Sequence, residues 1–193
     1  PMSLKDLFYT AGVRTTAGSR VLKDFVPAED ATVVRRLREA GAVLIGKNNM
    51  LEFAYGEIHP DYGPTRNPWD TDRTTGGSSS GSAAAVAAGL GYTSMGSNTG
   101  GSIRLPASYC GVVGLKPTYG LVSRYGVIPL AWTLDHAGPL TRTAGDSAAV
   151  MNVIAGHDAK DPASAMVPVP DYLQSLQGSL RGLTLGVIRS ELE

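Results

Sequence analysis

The amino-acid sequence predicts an α/β fold on three observations. Residues 30–41 carry helical periodicity, with Val33, Val34, Leu37 and Ala40 on one stripe, and the apolar run 42–45 follows directly. Helix, glycine and short apolar strand together form a building unit of α/β sheets. Two glycine-rich turns, at 74–81 and 96–101, each run on into a segment of helical composition.

Taken in order, residues 1–6 open without a leader, as though the chain entered in mid-fold, and Thr15–Ser19 reads as a turn-rich loop. The helix at 30–41 is expected to use Asp30 as its N-cap and to stop at Gly41. Residues 42–45 are expected to form a short buried strand. Residues 56–75 contain His59-Pro60, Gly63-Pro64 and Asn67-Pro68, and read as a loop punctuated by turn formers. Residues 82–88 form a small-residue helix able to pack closely on its neighbours. A further helix covers 146–155 and ends at Gly156, 162–170 is a connector, 171–177 a short helix and 183–188 a strand.

Composition narrows the function. Of 193 residues, 42% are apolar and 18% charged, with seventeen basic residues balancing seventeen acidic ones, so no charge field points to nucleic acid or an anionic membrane. The single cysteine, Cys110, has no intrachain disulfide partner and suits a reducing compartment. No signal peptide or apolar spanning segment is visible, and a cytoplasmic location is expected. His59, His136 and His157 show no metal-ligand spacing and are expected in loops or on the surface.

Of the 24 glycines, eight cluster between 76 and 101, among hydroxyl side chains. Glycine lets several backbone N–H groups converge on one small space where a Cβ would clash. Serines beside such a space have what acyl transfer requires, a nucleophile and a place for the oxyanion. Two motifs are decoys. Residues 41–47 have Walker-A spacing, but Asn48 replaces the hydroxyl residue and the interior is strand-like. Gly77-Ser78-Ser79-Ser80-Gly81 fits a nucleophile elbow with Ser79 as nucleophile and His136 or His157 as base, but the preceding segment is polar where an elbow needs an apolar strand.

The stretches Gly76-Gly77-Ser78-Ser79-Ser80-Gly81-Ser82-Ala-Ala-Ala85 and Asn98-Thr99-Gly100-Gly101-Ser102-Ile-Arg104-Leu-Pro closely resemble the amidase signature family. Similarity extends through Gly46–Ala54, Asn67–Asp70, Cys110–Thr118 and Leu134–Pro139, so it covers nearly the whole chain as one catalytic core segment. The resemblance implies a mixed sheet flanked by helices. It also implies truncation at both ends, since members of the family run to more than twice this length. It implies a catalytic set of Lys5, Ser78 and Ser102: Ser102 as the acylated nucleophile, Ser78 as a bridging serine in a cis peptide, and Lys5 as the base. The backbone N–H groups of Thr99, Gly100, Gly101 and Ser102 would hold the oxyanion, with Ser79 and Arg104 supporting the site. No metal or organic cofactor is implied. Without the resemblance, serines in glycine turns read as caps and turn formers, and a lysine near a chain start as solvated. Lys47 is expected to support loop structure and Cys110 to pack.

The function expected is hydrolysis of a carboxylic amide through a seryl acyl-enzyme. A glutaminase subunit of a tRNA-dependent amidotransferase would use the same residues, and a non-catalytic scaffold is the alternative of another class. The partner expected is a small-molecule amide, with no membrane and no direct nucleic-acid contact; self-association into a homo-oligomer is left open.

Overall fold

The computed structural model describes residues 1–184 and 186. A five-stranded mixed sheet forms its centre, in the order β2 (Leu44–Asn48), β1 (Met2–Lys5), β5 (Thr93–Asn98), β7 (His136–Thr141), β6 (Val113–Gly114). β1 runs parallel to both β2 and β5, whereas β7 is antiparallel to β5 and β6. The expected α/β class and mixed sheet are therefore present. A separate two-stranded antiparallel hairpin joins β3 (Arg66–Asn67) to β4 (Asp70–Thr74) inside the stretch expected to be loop. β4 is exposed along its whole length, so it lacks the apolar alternation by which a strand is recognised in sequence.

Two helical layers cover the sheet. Against Met2 and Leu4 of β1 and Met95 of β5 pack Val33, Val34 and Leu37 of α1 (Thr32–Glu39) and Val150, Met151 and Ile154 of α4 (Ala144–Ile154). A second core joins Ala83 and Val86 of α2 (Ser80–Ala87) to Ala107 and Cys110 of α3 (Arg104–Cys110) and to Leu140 of β7. Alternation along β1 and β5 turns Ser3 and Ser94 away from the first core, and Asn48 Nδ2 donates to both hydroxyls at 2.8 Å. α2 sits very close here: a Cβ on Gly81 would lie 2.6 Å from the Asn49 carbonyl oxygen, to which the Gly81 N–H donates at 3.0 Å.

Local expectations hold unevenly. Gly41 ends α1 with φ +84°, and Thr143 and Asp146 close a reciprocal capping box on α4. Asp30 does not cap α1, which begins after Ala31. The Thr32 N–H instead donates to the Tyr125 carbonyl, while Asp30 accepts from the Ala11 N–H at 2.7 Å and pairs with Arg38 at 3.3 Å. The strand expected at 42–45 lies at 44–48 and is a half-exposed edge, with Ile45 51% exposed. α5 (Tyr172–Ser175) is capped by Asp171. Most of the strand expected over 183–188 lies outside the described residues. Among the described residues no helix is long and apolar enough to cross a membrane.

Candidate active site

β1 carries Lys5 into the interior, where its side chain is fully buried. Its Nζ lies 2.6 Å from Ser78 Oγ and 2.8 Å from Ser97 Oγ. Burial pushes the Lys5 pKa well below its ordinary 10.5, because the ammonium loses its hydration, and the charge of Asp135 acts in the opposite direction.

Ser78 follows a cis Gly77–Ser78 peptide in the turn between β4 and α2 and is buried. Its carbonyl accepts from the Leu51 N–H at 3.3 Å. Ser79 ties this turn to β5, since its Oγ donates to the Ser97 carbonyl at 3.2 Å and accepts from the Ser97 N–H at 3.3 Å. The Ser79 N–H donates to the Ser102 carbonyl at 3.2 Å, which holds the two glycine-rich turns together. Full burial and these bonds leave Ser79 no open approach, and that removes the nucleophile-elbow reading.

Ser102 is half-exposed and closes the loop that leaves β5. Among the described residues, the N–H groups of Thr99, Gly100, Gly101 and Ser102 have no protein acceptor. Four successive donors are thus free beside a serine hydroxyl. The loop is pinned at both ends: Asn98 Oδ1 accepts from the Ile103 N–H at 3.0 Å, and Arg104 Nη2 donates to the Gly100 carbonyl at 3.1 Å. The structure thus brings Lys5 and Ser78 into direct contact and sets Ser102 beside their turn. Among the described residues no hydrogen bond joins Ser102 Oγ to Ser78.

Other residues keep different company. Lys47 donates to the Phe8 carbonyl and to Thr15 Oγ1, each at 2.7 Å, and pairs with Asp6 at 3.2 Å, so it braces loops. His157 is exposed in a loop, as expected. His136 departs from expectation: it is half-buried in β7, with Nδ1 3.2 Å from the Asn98 carbonyl and Nε2 3.2 Å from Lys116 Nζ. Cys110 packs in the second core, and burial pushes its thiol pKa up.

One site residue, Ser97, escaped the sequence reading, and another, Asp135, lay in the resembling stretch 134–139 without an expected role. Ser97, the second neighbour of Lys5, is one hydroxyl among many; its place in the motif between Gly96 and Asn98 was the available signal. Asp135 is buried, accepting from Thr99 Oγ1 and from the N–H groups of Leu130 and Ala131 at 2.8 and 2.9 Å. It lies far from Thr99 in sequence, and no local pattern announces the contact. A groove of about 580 Å³ runs past Ile58, Pro64, Thr74, Gly76 and Leu51 to the turn that bears Ser78.

The chain resembles several known proteins. The A subunit of the glutamyl-tRNA(Gln) amidotransferase of Moorella thermoacetica is 59% identical over 191 residues, which cover 98% of this chain and 39% of that protein. Among solved structures, the corresponding A subunit from Thermotoga maritima superposes with a TM-score of 0.85 at 51% identity, covering 88% of this chain and 38% of its own length. The native peptide amidase of Stenotrophomonas maltophilia superposes with a TM-score of 0.84 at 46% identity, covering 91% and 38%. The chain therefore spans about 39% of the length of the curated relatives it matches. The family model described as Amidase matches residues 1–193, and from its first residue to its last the chain belongs to the amidase family.

Proposed function

We propose that this chain carries the nucleophile, bridge and base of an amide hydrolase that works through a seryl acyl-enzyme. The observation that carries the reading is Lys5: a buried lysine whose Nζ touches two serine hydroxyls and whose burial favours the neutral amine. A neutral amine has two N–H groups and one lone pair. Donation to Ser97 leaves the lone pair free to accept the Ser78 proton. Ser78 in turn accepts the proton of Ser102, and Ser102 Oγ attacks the amide carbonyl. The N–H groups of residues 99–102 hold the oxyanion. The proton returns through Ser78 to the departing nitrogen, and water then cleaves the acyl-enzyme.

A second reading has a specific support. Relatives at 54–59% identity are amidotransferase A subunits, whereas the peptide amidase stands at 46%. Glutamine is then the amide, and the ammonia released passes to a different subunit. The two readings share the proposed chemistry up to the fate of ammonia. Comparing release of ammonia from glutamine with that from C-terminal peptide amides separates them.

The test of the shared chemistry is reaction with a fluorophosphonate followed by peptide mapping. Ser102 Oγ displaces fluoride from phosphorus, and its proton leaves through Ser78. A single adduct on Ser102, lost in Ser102→Ala and much slowed in Lys5→Ala, is the expected result. Folded wild-type protein that takes no label overturns the reading in favour of a scaffold.

A further inference from the structure

We propose that Asp135 is a positioning residue for this reaction, its carboxylate tying the first residue of the oxyanion loop to the 130–131 turn and fixing the charge setting in which Lys5 works. The inference rests on the roles proposed above for Lys5 and Ser102. Both carboxylate oxygens are in use. Oδ2 accepts the N–H groups of Leu130 and Ala131, which closes a turn already held by the Leu134 and Asp135 N–H groups on the Ala131 carbonyl. Closing that turn needs only Oδ2. Oδ1 is spent elsewhere, accepting from the hydroxyl of Thr99, 36 residues away in the chain and the first residue after β5. The N–H of Thr99 is the first of the four free donors, so the carboxylate limits rotation of the loop that presents them. Preorganised donors stabilise an oxyanion because they need not reorient as charge develops.

The charge of Asp135 has a second effect. It pulls the Lys5 pKa up against the lowering by burial. The other charged groups nearby are engaged. Asp6, next to Lys5 in the chain, pairs with Lys47 and accepts from the Thr16 N–H. His136 and Lys116 lie 3.2 Å apart, and Arg104 holds the Gly100 carbonyl at the surface. Removal of the Asp135 charge therefore lowers the Lys5 pKa further, a consequence that a purely structural tether does not have.

The test measures the rate of fluorophosphonate labelling of Ser102 against pH in the wild type, Asp135→Asn and Thr99→Val. In Asp135→Asn labelling slows about 100-fold, the scale of a small misplacement of reacting groups, and the acidic limb of the profile moves to lower pH. Thr99→Val removes the tether but keeps the charge. It slows labelling about 10-fold, the scale of one charge-assisted hydrogen bond, and leaves the limb where it was. Wild-type labelling in either variant overturns the proposal, as does a slowed Asp135→Asn whose limb does not move. Titration of the Lys5 ammonium by nuclear magnetic resonance separates this from failure of the catalytic reading. If the wild type takes no label, that reading falls. A downward shift of the Lys5 titration in Asp135→Asn still supports the charge coupling, and an unchanged titration overturns it.

Discussion

Two lysines stand on adjoining strands, Lys5 fully buried and Lys47 with 11% of its side chain exposed, and they differ in every partner. In the β1–β2 register Leu4 faces Lys47 and Lys5 faces Asn48. Lys47 meets a carboxylate, a carbonyl and a hydroxyl. Lys5 meets two hydroxyls, Ser78 and Ser97. Burial lowers both pKa values, but for Lys47 the first opposing influence is a bonded carboxylate, Asp6, and its shift is the smaller. Burial alone does not make a base of a lysine. Among neutral partners the charge of Asp135 only partly offsets the water that the Lys5 ammonium loses, and its pKa falls well below the ordinary value.

The contrast can be broken most forcefully at Lys5. Lys5→Met should slow labelling of Ser102 by about 10²–10⁴-fold, the usual contribution of a positioned acid–base group, while the protein still melts cooperatively. Lys47→Met should do the opposite. It strands the Asp6 carboxylate and costs about 3 kcal/mol in urea unfolding, at the lower end for a broken buried pair, with labelling per folded molecule unchanged.

The pH dependence of stability sharpens the same contrast. Between its lowered folded pKa and 10.5, Lys5 is neutral in the folded protein and protonated in the unfolded chain. The unfolded state then binds the extra proton, so this group makes stability rise with pH across that window, by at most about 1.4 kcal/mol per pH unit. The burden is complete below the window and absent above it. Lys5→Met should remove this slope, as urea titrations at a series of pH values would reveal. The smallest effect belongs to Ser97→Ala, which removes one acceptor from Lys5 and should cost about 1 kcal/mol in the same titrations.

The helices were legible because their periodicity and stop signals are local: Val33, Val34 and Leu37 mark α1, and Gly41 ends it. The central strands were not. β1 reads Met2-Ser3-Leu4-Lys5 and β5 reads Thr93-Ser94-Met95-Gly96-Ser97-Asn98, so hydropathy sees loops where the sheet places hydroxyls in its interior. Conversely Val43, just before the edge strand, and Ile45, within it, suggested burial but are 62% and 51% exposed. In the site, glycine clustering drew attention to the two serine-bearing turns, and the family resemblance singled out Ser78 and Ser102 within them. Lys5 came into view only through likeness to a family, because nothing in four residues of β1 distinguishes a buried amine from a solvated one. Ser97 and Asp135 depend on contacts across the sheet and between distant loops, which no short stretch of sequence encodes.

The adjacency of Lys5 and Asp6 has one more consequence. A single peptide unit thus delivers an amine to the hydroxyls of Ser78 and Ser97 and a carboxylate to Lys47. A slip of β1 by one residue would exchange them, setting a carboxylate among hydroxyls and a second lysine against Lys47. Strand slippage normally inverts oil and water; here it would also bury a carboxylate and take from Lys47 its counter-ion. The dipeptide thus acts as an alignment key, and the pairing that sets Lys5 against Ser78 is the one in which Asp6 also reaches Lys47.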